Sequence, residues 1–329
     1  MLNLLRTFVN QVLGEAWAER GEAPEWQRLY DRREKAMRLG TPSAKAGLLV
    51  GAADVQRGGG GRIDLDIWAF GAERRREFVE RIEVFGPIAD KKTWQKLDEQ
   101  VARTWTSADG RPMKLARVAV DSGDGESTME VYTWARRHPG FAMAVKGRHA
   151  IAANQPIGAP SWQDVTVGGR KLKKGVRLWN VGTSMLKLEL FGDLEKEKPV
   201  DGEAYPEGYV YLPDGTTDEW IKQLVAEELR MIRLRNGGFR REWHKVRERN
   251  EALDNAVYAR AVAFSLGVDR WTPAHWQLLL EKEPEPTPPA PAAKKPAAPA
   301  KPAPKAISTK KPTPPAPKPT SNWLNRRRR

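Results

Sequence analysis

A short stretch near residue 50 constrains the fold of this chain more than any other. An apolar run over residues 47–56 is interrupted by one carboxylate, Asp54, and four consecutive glycines, Gly58 to Gly61, follow it. A second run, residues 63–70, alternates in polarity. Because glycine accepts the positive φ that a reversing chain needs, this pattern predicts a β-hairpin. A carboxylate on the inner half of a strand is costly to bury without a partner, and a metal ion is one such partner.

Two further acids lie in comparable surroundings. The run from Val118 to Val120 carries an apolar strand into Asp121, and Asp254 lies in the first turns of a helix predicted over residues 250–266. Mg²⁺ and Mn²⁺ prefer oxygen ligands, and their charge offsets the mutual repulsion of carboxylates. Two acids at strand ends and one on a helix therefore suit a two-metal site for phosphodiester chemistry.

Positive charge is concentrated near the C-terminus. The 329-residue chain has a net charge of +14, but residues 281–329 hold eight Lys and four Arg against three Glu, which is +9 and leaves +5 for the rest. A polyanion is the expected class of partner. The total charge alone does not establish a strongly basic DNA-binding body.

Several function classes are excluded or disfavoured. The chain has no cysteine, which excludes disulfides, thiolate metal sites and cysteine nucleophiles and fits a reducing cytoplasm. It has no signal peptide and no apolar run of membrane-spanning length, so we expect a soluble protein without a membrane partner. No GxxxxGK[ST] loop occurs, so no ATPase site is visible.

The order of predicted elements indicates an α/β fold. Residues 1 to about 46 are helical in pattern, three antiparallel strands follow, and helix, strand, helix and strand come next. This is the order of the ribonuclease-H-like fold, a mixed sheet flanked by helices, in which the strands that carry Asp54 and Asp121 are neighbours. The predicted elements are strands 47–53, 63–70 and 76–85, a helix over 93–105 capped by Thr93, a strand ending at 121, a helix over 127–137 and a strand over 141–145.

The remainder of the body is less regular. We expect a surface excursion over residues 150–175, because it is broken by glycine and proline, and then a strand over 176–181. A short helix over 183–190 bears Lys187. The last predicted elements are a strand over 209–213, a helix over 219–228 capped by Asp218, two strands around the turn 236–238 and the helix 250–266, which ends at Gly267.

The composition changes abruptly after Pro284. Fourteen of the 25 prolines lie between Pro284 and Pro319, among Ala, Lys and Thr, so this segment cannot bury enough apolar area to fold. It ends in Trp323 and Leu324 followed by four arginines, a pattern typical of a docking peptide, although nonspecific DNA contact explains the arginines equally well. We therefore divide the chain into a helical segment, 1–45, a nuclease domain, 46–280, and a disordered basic Pro/Ala/Lys-rich tail, 281–329.

Several motifs, in order along the chain, resemble one family. They are Phe8 to Trp17, Gly51 to Gln56, Val120 to Gly123, Val131-Tyr132, Val145 to Gly147, Val181 to Thr183 with Lys187, and Arg249 to Asp254 with Tyr258-Ala259. Together they are similar to the large terminase subunit of lambda-like tailed bacteriophages, over roughly residues 5–266. In that family a packaging ATPase domain precedes this part, so the segment 1–45 resembles a remnant or docking surface of that domain.

The resemblance implies an activity, a cofactor and partners. It implies an endonuclease that cuts concatemeric phage DNA at packaging initiation and termination with Mg²⁺ or Mn²⁺, two ions being expected, in the bacterial host cytoplasm. Asp54, Asp121 and Asp254 stand where the family's metal-binding acids stand. The implied partners are double-stranded DNA, a separate packaging ATPase chain, a small terminase subunit, and a portal or procapsid that the C-terminal tail would contact.

Alternatives exist for each site residue. Asp54 and Asp121 also suit turns after strands, and Asp254 suits a helix dipole. Glu251, three residues before Asp254, is either a metal-site acid or a surface acid. Two lysines, Lys146 and Lys187, are expected to stabilise phosphate charge, although lysines at strand ends are commonly solvated.

At the level of function, the alternatives are another ribonuclease-H-like nuclease, of the resolvase or transposase type, and a non-catalytic DNA-packaging assembly protein.

Overall fold

A computed structural model of the chain describes residues 23–148 and 155–281. These residues form an α/β arrangement in which one large sheet lies between helices. The elements, in chain order, are α1 (Trp26–Asp31), β1 (Glu34–Arg38), β2 (Leu48–Gln56), β3 (Arg62–Phe70), β4 (Arg76–Phe85), α2 (Lys91–Val101), β5 (Thr104–Thr106), β6 (Pro112–Asp121), α3 (Thr128–Arg137), β7 (Ala142–Arg148), β8 (Ser161–Val167), β9 (Arg170–Gly182), α4 (Thr183–Leu194), β10 (Val210–Tyr211), β11 (Pro213–Asp214), α5 (Asp218–Leu224), β12 (Glu227–Arg233), β13 (Phe239–Lys245), α6 (Glu251–Leu266) and α7 (Pro273–Glu281).

The strand order of the large sheet confirms the ribonuclease-H-like topology. Among the described residues nine strands form this sheet, in the order β10-β4-β3-β2-β6-β7-β9-β8, with β5 paired to β6. β2, β3 and β4 are antiparallel, as the glycine-linked hairpin predicts. β6 and β7 then add in parallel to β2, and β9 adds in parallel to β7. Parallel neighbours end at the same edge of a sheet, which brings the ends of β2 and β6 together.

Each face of the sheet buries its own apolar core. Because side chains alternate along a strand, Val50 and Ala52 of β2 face α6, whereas Leu49 and Ala53 face α2 and α3. Helix α6 is buried along most of its length and packs against β2, β3 and β6. It ends at Gly267, whose φ of 90° is the left-handed conformation that glycine adopts readily. The predicted end of this helix is confirmed.

Several predicted boundaries are wrong for identifiable reasons. Helix α2 ends at Val101, and Trp105 lies on β5, where its partner is Met113 of β6. The N-cap of α2 is Asp90, which accepts a hydrogen bond from the backbone N–H of Lys92, rather than Thr93. The helical spacing of Trp94, Leu97 and Val101 thus extends to Trp105, although Trp105 lies on an edge strand. The spacing continues because the helix and the strand bury their apolar side chains on the same side of the sheet.

Other differences come from pairing between distant parts of the chain. Glu34–Arg38 is a strand rather than part of a helix, since it pairs with Pro213–Asp214. The expected surface excursion contains the β8–β9 hairpin, which extends the sheet edge. Helix α5 is capped by Thr217 instead of Asp218 and ends at Leu224, so residues 227 and 228 belong to the β12–β13 ribbon. The two-stranded ribbon itself is predicted correctly.

Some predictions fall outside the described residues. These are the helical pattern before residue 23, the excursion over 149–154, and the basic tail with its docking peptide after residue 281. Within the described ranges no helix is both long and apolar enough to cross a membrane.

Candidate active site

The fold brings two of the predicted acids to one edge of the sheet. Asp54 is near the end of β2 and Asp121 is the last residue of β6. The two strands are parallel neighbours with Ala53 opposite Val120, and alternation turns both aspartates toward α6. The third acid, Asp254, lies in the first turn of α6, on that same side. Sequence elements more than 130 residues apart therefore meet at one place, as predicted.

Asp54 is buried and Asp121 is half-buried at this edge of the sheet. Asp54 is 9% exposed and accepts a hydrogen bond from Gln56 Nε2 at 2.5 Å. Asp121 accepts from the backbone N–H of Gly123 at 2.9 Å. Within the described ranges neither carboxylate forms an ion pair. Burial, and then the charge of Asp121, raise the pKa of Asp54 to about 7, and burial raises the pKa of Asp121 as well.

Tyr258 completes the surroundings of Asp121. It lies one helical turn after Asp254, is 4% exposed, and its hydroxyl lies close enough to the Asp121 carboxylate for hydrogen bonding to lower the pKa of Asp121 against the larger effect of burial. Burial and the nearby negative charge of Asp121 raise the pKa of Tyr258 well above its ordinary value, so it stays a donor. Gly147 of β7 makes room for this contact, because a Cβ there would lie 3.2 Å from the Tyr258 hydroxyl and 2.9 Å from Thr183 Cγ2.

Two neighbouring side chains contact the Asp254 carboxylate. Its Oδ1 lies 3.7 Å from Lys187 Nζ, and its Oδ2 accepts a hydrogen bond from Asn250 Nδ2 at 2.9 Å. Lys187 also bonds both carboxylate oxygens of Glu227 at 2.8 and 2.7 Å. Burial raises the pKa of Asp254 to about 6, with Lys187 opposing the shift and Glu227 adding to it.

The two predicted lysines differ in position. Lys187 is 2% exposed and ion-paired, so in this arrangement it holds carboxylates in place. Lys146 is half-buried on β7, and its charge lowers the pKa of Asp121, against the larger effect of burial. It forms no ion pair with any residue that the structure describes. Of the two, Lys146 is thus the available cation, and direct phosphate contact by either lysine stays a prediction.

Glu251 lies in an arginine cluster behind the aspartates. Its Oε1 is 3.3 Å from both Arg62 and Arg249, and Arg62 also pairs with the fully buried Asp64 at 2.7 Å. Glu251 Oε2 is buried without a hydrogen-bond partner in the described part of the chain. The cluster ties the first turn of α6 to β3 and so fixes the position of Asp254. A metal contact through the second oxygen stays a prediction.

The sequence analysis misses Glu227, Tyr258 and Asn250 as site residues. The partners of Glu227 lie 40 residues before it and 23 after it, so no local pattern marks it. Tyr258 lies four residues after Asp254 on the same helical face, and Asn250, the N-cap residue of α6, lies four residues before it. That spacing is a signal by which they could have been found.

The donor chemistry of the three aspartates fits a divalent cation. All are hard oxygen ligands, and their charge is offset in part by Lys187, which lies near Asp254, and by Lys146, whose charge acts on Asp121. In the ranges 23–148 and 155–281 no group of three or more His, Cys, Asp or Glu side chains is arranged closely enough to hold an ion by itself. A cation here would therefore take further oxygens from water or from a phosphate.

Comparison with known proteins identifies the family. Residues 2–276 match the family described as terminase large subunit gpA, endonuclease domain. The chain belongs to this endonuclease-domain family. It is 32% identical over 294 residues to the terminase large subunit of Enterobacteria phage P21, which covers 87% of this chain and 43% of that protein. It is 28% identical over 272 residues to the terminase large subunit of Escherichia phage lambda, covering 81% and 39%.

The resemblance drawn from the sequence motifs is thereby confirmed. The matched family is the endonuclease domain of terminase large subunits, and both relatives are terminase large subunits of phages. It spans less than half the length of either of these two curated relatives.

Proposed function

We propose that this chain is a metal-dependent endodeoxyribonuclease that cuts concatemeric viral DNA during genome packaging. The observation that carries the proposal is the pair Asp54 and Asp121. They are a buried and a half-buried carboxylate on neighbouring parallel strands, on the side of the sheet that α6 covers, and neither forms an ion pair within the described residues. Burying such charges is expensive unless a ligand compensates them. Because the chain belongs to a terminase endonuclease family, we take DNA as the substrate that such a ligand would contact.

Mg²⁺ or Mn²⁺ would be held by Asp54, Asp121 and Asp254, and two ions suit three carboxylates of this kind. A divalent ion, when bound, supplies positive charge to the phosphate and acidifies water for attack at phosphorus. The chain's own residues orient the ligands. Tyr258 and the Gly123 N–H fix Asp121, while Lys187 and Asn250 fix Asp254.

Lys146 is the residue we assign to the DNA phosphate. It is half-buried beside Asp121 and unpaired in the described ranges, so its ammonium group is available to a ligand. A cation in this position stabilises the charge that develops on a phosphate under attack. Lys187, which is already paired with Glu227, would act on the phosphate only through Asp254.

The partners follow from the family and are part of the proposal. Double-stranded viral DNA is the substrate, and a packaging ATPase supplies translocation. A small terminase subunit selects the cutting site, and a portal or procapsid receives the complex. The relatives are terminase large subunits more than twice as long as the stretch that matches, so the proposal for this chain concerns the nuclease step.

Cleavage of supercoiled plasmid by the purified chain tests the proposal. We expect nicked and linear products with Mn²⁺ or Mg²⁺ and none with EDTA. Ca²⁺ is a useful control, because it accepts oxygen ligands with a looser geometry and supports binding in place of turnover. Cleavage that survives EDTA would contradict the proposal, as would an intact plasmid with both Mn²⁺ and Mg²⁺ when the chain is folded.

A further inference from the structure

The β12–β13 ribbon begins beside the candidate site and has two chemically different faces. Residues that are paired across an antiparallel ribbon share a face. The pairs Met231 with Arg241 and Arg233 with Phe239 therefore lie on one face, here called the cationic face. The opposite face carries Arg230, Glu242 and Arg240 and is here called the neutral face.

The arginines of the neutral face are already neutralised. Arg230 bonds Glu228, and Arg240 bonds Glu242, each two residues away along its own strand. Two positive charges are therefore matched by two negative ones. This face has no charge left over for a ligand.

The cationic face lacks such partners. Arg233 and Arg241 are exposed, and neither side chain forms an ion pair or hydrogen bond with another residue that the structure describes. Between them lie two apolar side chains that are also largely exposed, Met231 at 52% and Phe239 at 66%. Unpaired arginines interleaved with exposed apolar groups are the surface expected of a nucleic-acid contact.

The base of the cationic face connects directly to the site. Glu227, the first residue of the ribbon, lies on this face opposite Lys245. It is ion-paired to Lys187, which in turn lies 3.7 Å from Asp254. At about 3.3 Å per residue, the six steps from Glu227 to Arg233 carry the face roughly 20 Å outward from the aspartates.

We infer that the cationic face of the ribbon binds duplex DNA flanking the cut, with Arg233 and Arg241 on phosphates and Phe239 and Met231 against sugars and base edges. The inference rests on the proposed nuclease function, since it takes the duplex held at the aspartates as the ligand. A two-stranded ribbon fits the major groove of B-form DNA, which is about 12 Å wide. The ribbon would thus hold the duplex in position while the aspartates act on one phosphodiester.

A salt series of DNA binding tests this inference on the full-length chain. Every protein carries Asp121→Asn, which removes a predicted ligand so that the duplex is not cut, and binding of a fluorescent duplex is followed by anisotropy. The test variant adds Arg233→Ala and Arg241→Ala. The matched control adds Arg230→Ala and Arg240→Ala, which remove the same charge from the same ribbon but from its neutral face.

We expect the test variant to bind about ten-fold more weakly per lost contact near 0.1 M salt. Its plot of log affinity against log salt should lose about two units of slope, while the control keeps the parent slope. Equal losses in both variants would overturn the inference, because they would reflect net charge alone. No loss in either variant would also overturn it.

Plasmid cleavage by the chains with Asp121 intact separates this inference from the proposed function. If the wild-type chain cuts but the two ribbon variants bind alike, the ribbon inference fails and the nuclease stands. If the wild-type chain does not cut while only the test variant loses affinity, the nuclease fails and DNA binding by the ribbon stands.

Discussion

Glu227 and Asp254 share two side-chain partners, Lys187 and Asn250. Lys187 Nζ lies 2.7 Å from Glu227 and 3.7 Å from Asp254, and Asn250 Nδ2 donates to both carboxylates at 3.2 and 2.9 Å. The first residue of the ribbon and the predicted metal ligand on α6 are thus parts of one hydrogen-bonded group. We therefore expect substitutions of Glu227 to reduce cleavage, although Glu227 itself does not contact the substrate.

Glu227→Gln should impair cleavage. It removes the negative charge that holds Lys187, so the ammonium group turns to Asp254 and competes with the metal for its oxygens. Cleavage should fall by about 10–100-fold, the range measured for residues that orient metal ligands, and half-maximal activity should need more Mn²⁺. The control is Glu228→Gln, a neighbouring buried acid that pairs with Arg230 instead. Similar losses in both variants would refute the coupling.

Lys187→Met should destabilise the protein. It leaves the buried Glu227 and the half-buried Asp254 close together without their shared cation, which costs up to about 3–5 kcal/mol, the loss found for fully buried pairs. Urea unfolding of the metal-free protein measures this loss. The double variant Lys187→Met with Glu227→Gln should recover part of it, because one of the two charges has gone. A double variant as unstable as the sum of the single ones would show that the pair is not coupled.

The pKa of Asp54 predicts how stability changes with pH. It is raised from 3.8 to about 7 in the folded chain, so the folded state binds this proton more tightly than the unfolded state. The resulting stabilisation is complete below the unfolded pKa and is lost as the pH rises through the folded one. In the metal-free protein, Asp54→Asn should therefore be more stable than wild type at pH 8, by about 2–4 kcal/mol, and nearly equal to it below pH 4. A constant difference at all pH values would contradict this.

The same pKa predicts how metal dependence changes with pH. Metal binding requires the ionised carboxylate, and protons compete for Asp54 below about pH 7 and for Asp254 below about pH 6. The Mn²⁺ concentration for half-maximal cleavage should rise steeply as the pH falls from 8 to 6. Saturating Mn²⁺ should restore much of the activity at pH 6. A half-maximal concentration that does not change with pH would contradict the shifted pKa values.

Gly147→Ala should displace Tyr258 from Asp121. The new methyl group would lie 3.2 Å from the tyrosine hydroxyl and 2.9 Å from Thr183 Cγ2, both in buried surroundings. We expect a loss of cleavage similar to that of Tyr258→Phe, about ten-fold or more. The control is Gly125→Ala, where a Cβ would meet no atom within 4 Å. Full activity of Gly147→Ala would show that the Tyr258 contact is dispensable.

The central part of the fold can be predicted from the sequence because the patterns that specify it are local. Apolar runs that end on one acid predict β2 and β6 with Asp54 and Asp121 at their ends, and glycines predict the reversal between β2 and β3. Since parallel neighbours end at one edge, the meeting of these acids follows from the topology. The helix that carries Asp254 follows from its apolar spacing and from Gly267 at its end.

The elements and site residues that the sequence does not predict depend on partners far away in the chain. Glu34–Arg38 becomes a strand only because residues 213 and 214 offer it a partner, and Trp105 leaves the helical pattern because β6 lies beside it. No local sequence pattern distinguishes Glu227 from other acids, and only its ion pair with Lys187 in the folded chain does so. Its role in the site is therefore visible only in three dimensions.

Plasmid cleavage by single aspartate variants tests the central claim most directly. Asp54→Asn, Asp121→Asn and Asp254→Asn are compared with wild type and with Glu126→Gln, an exposed acid five residues after Asp121, in Mn²⁺ at pH 8. The account predicts that each aspartate variant is folded yet has lost cleavage by several orders of magnitude, while Glu126→Gln cuts like wild type. Cleavage retained by any folded aspartate variant would contradict the assignment of that residue to the metal site, and cleavage retained by all three would overturn the site itself.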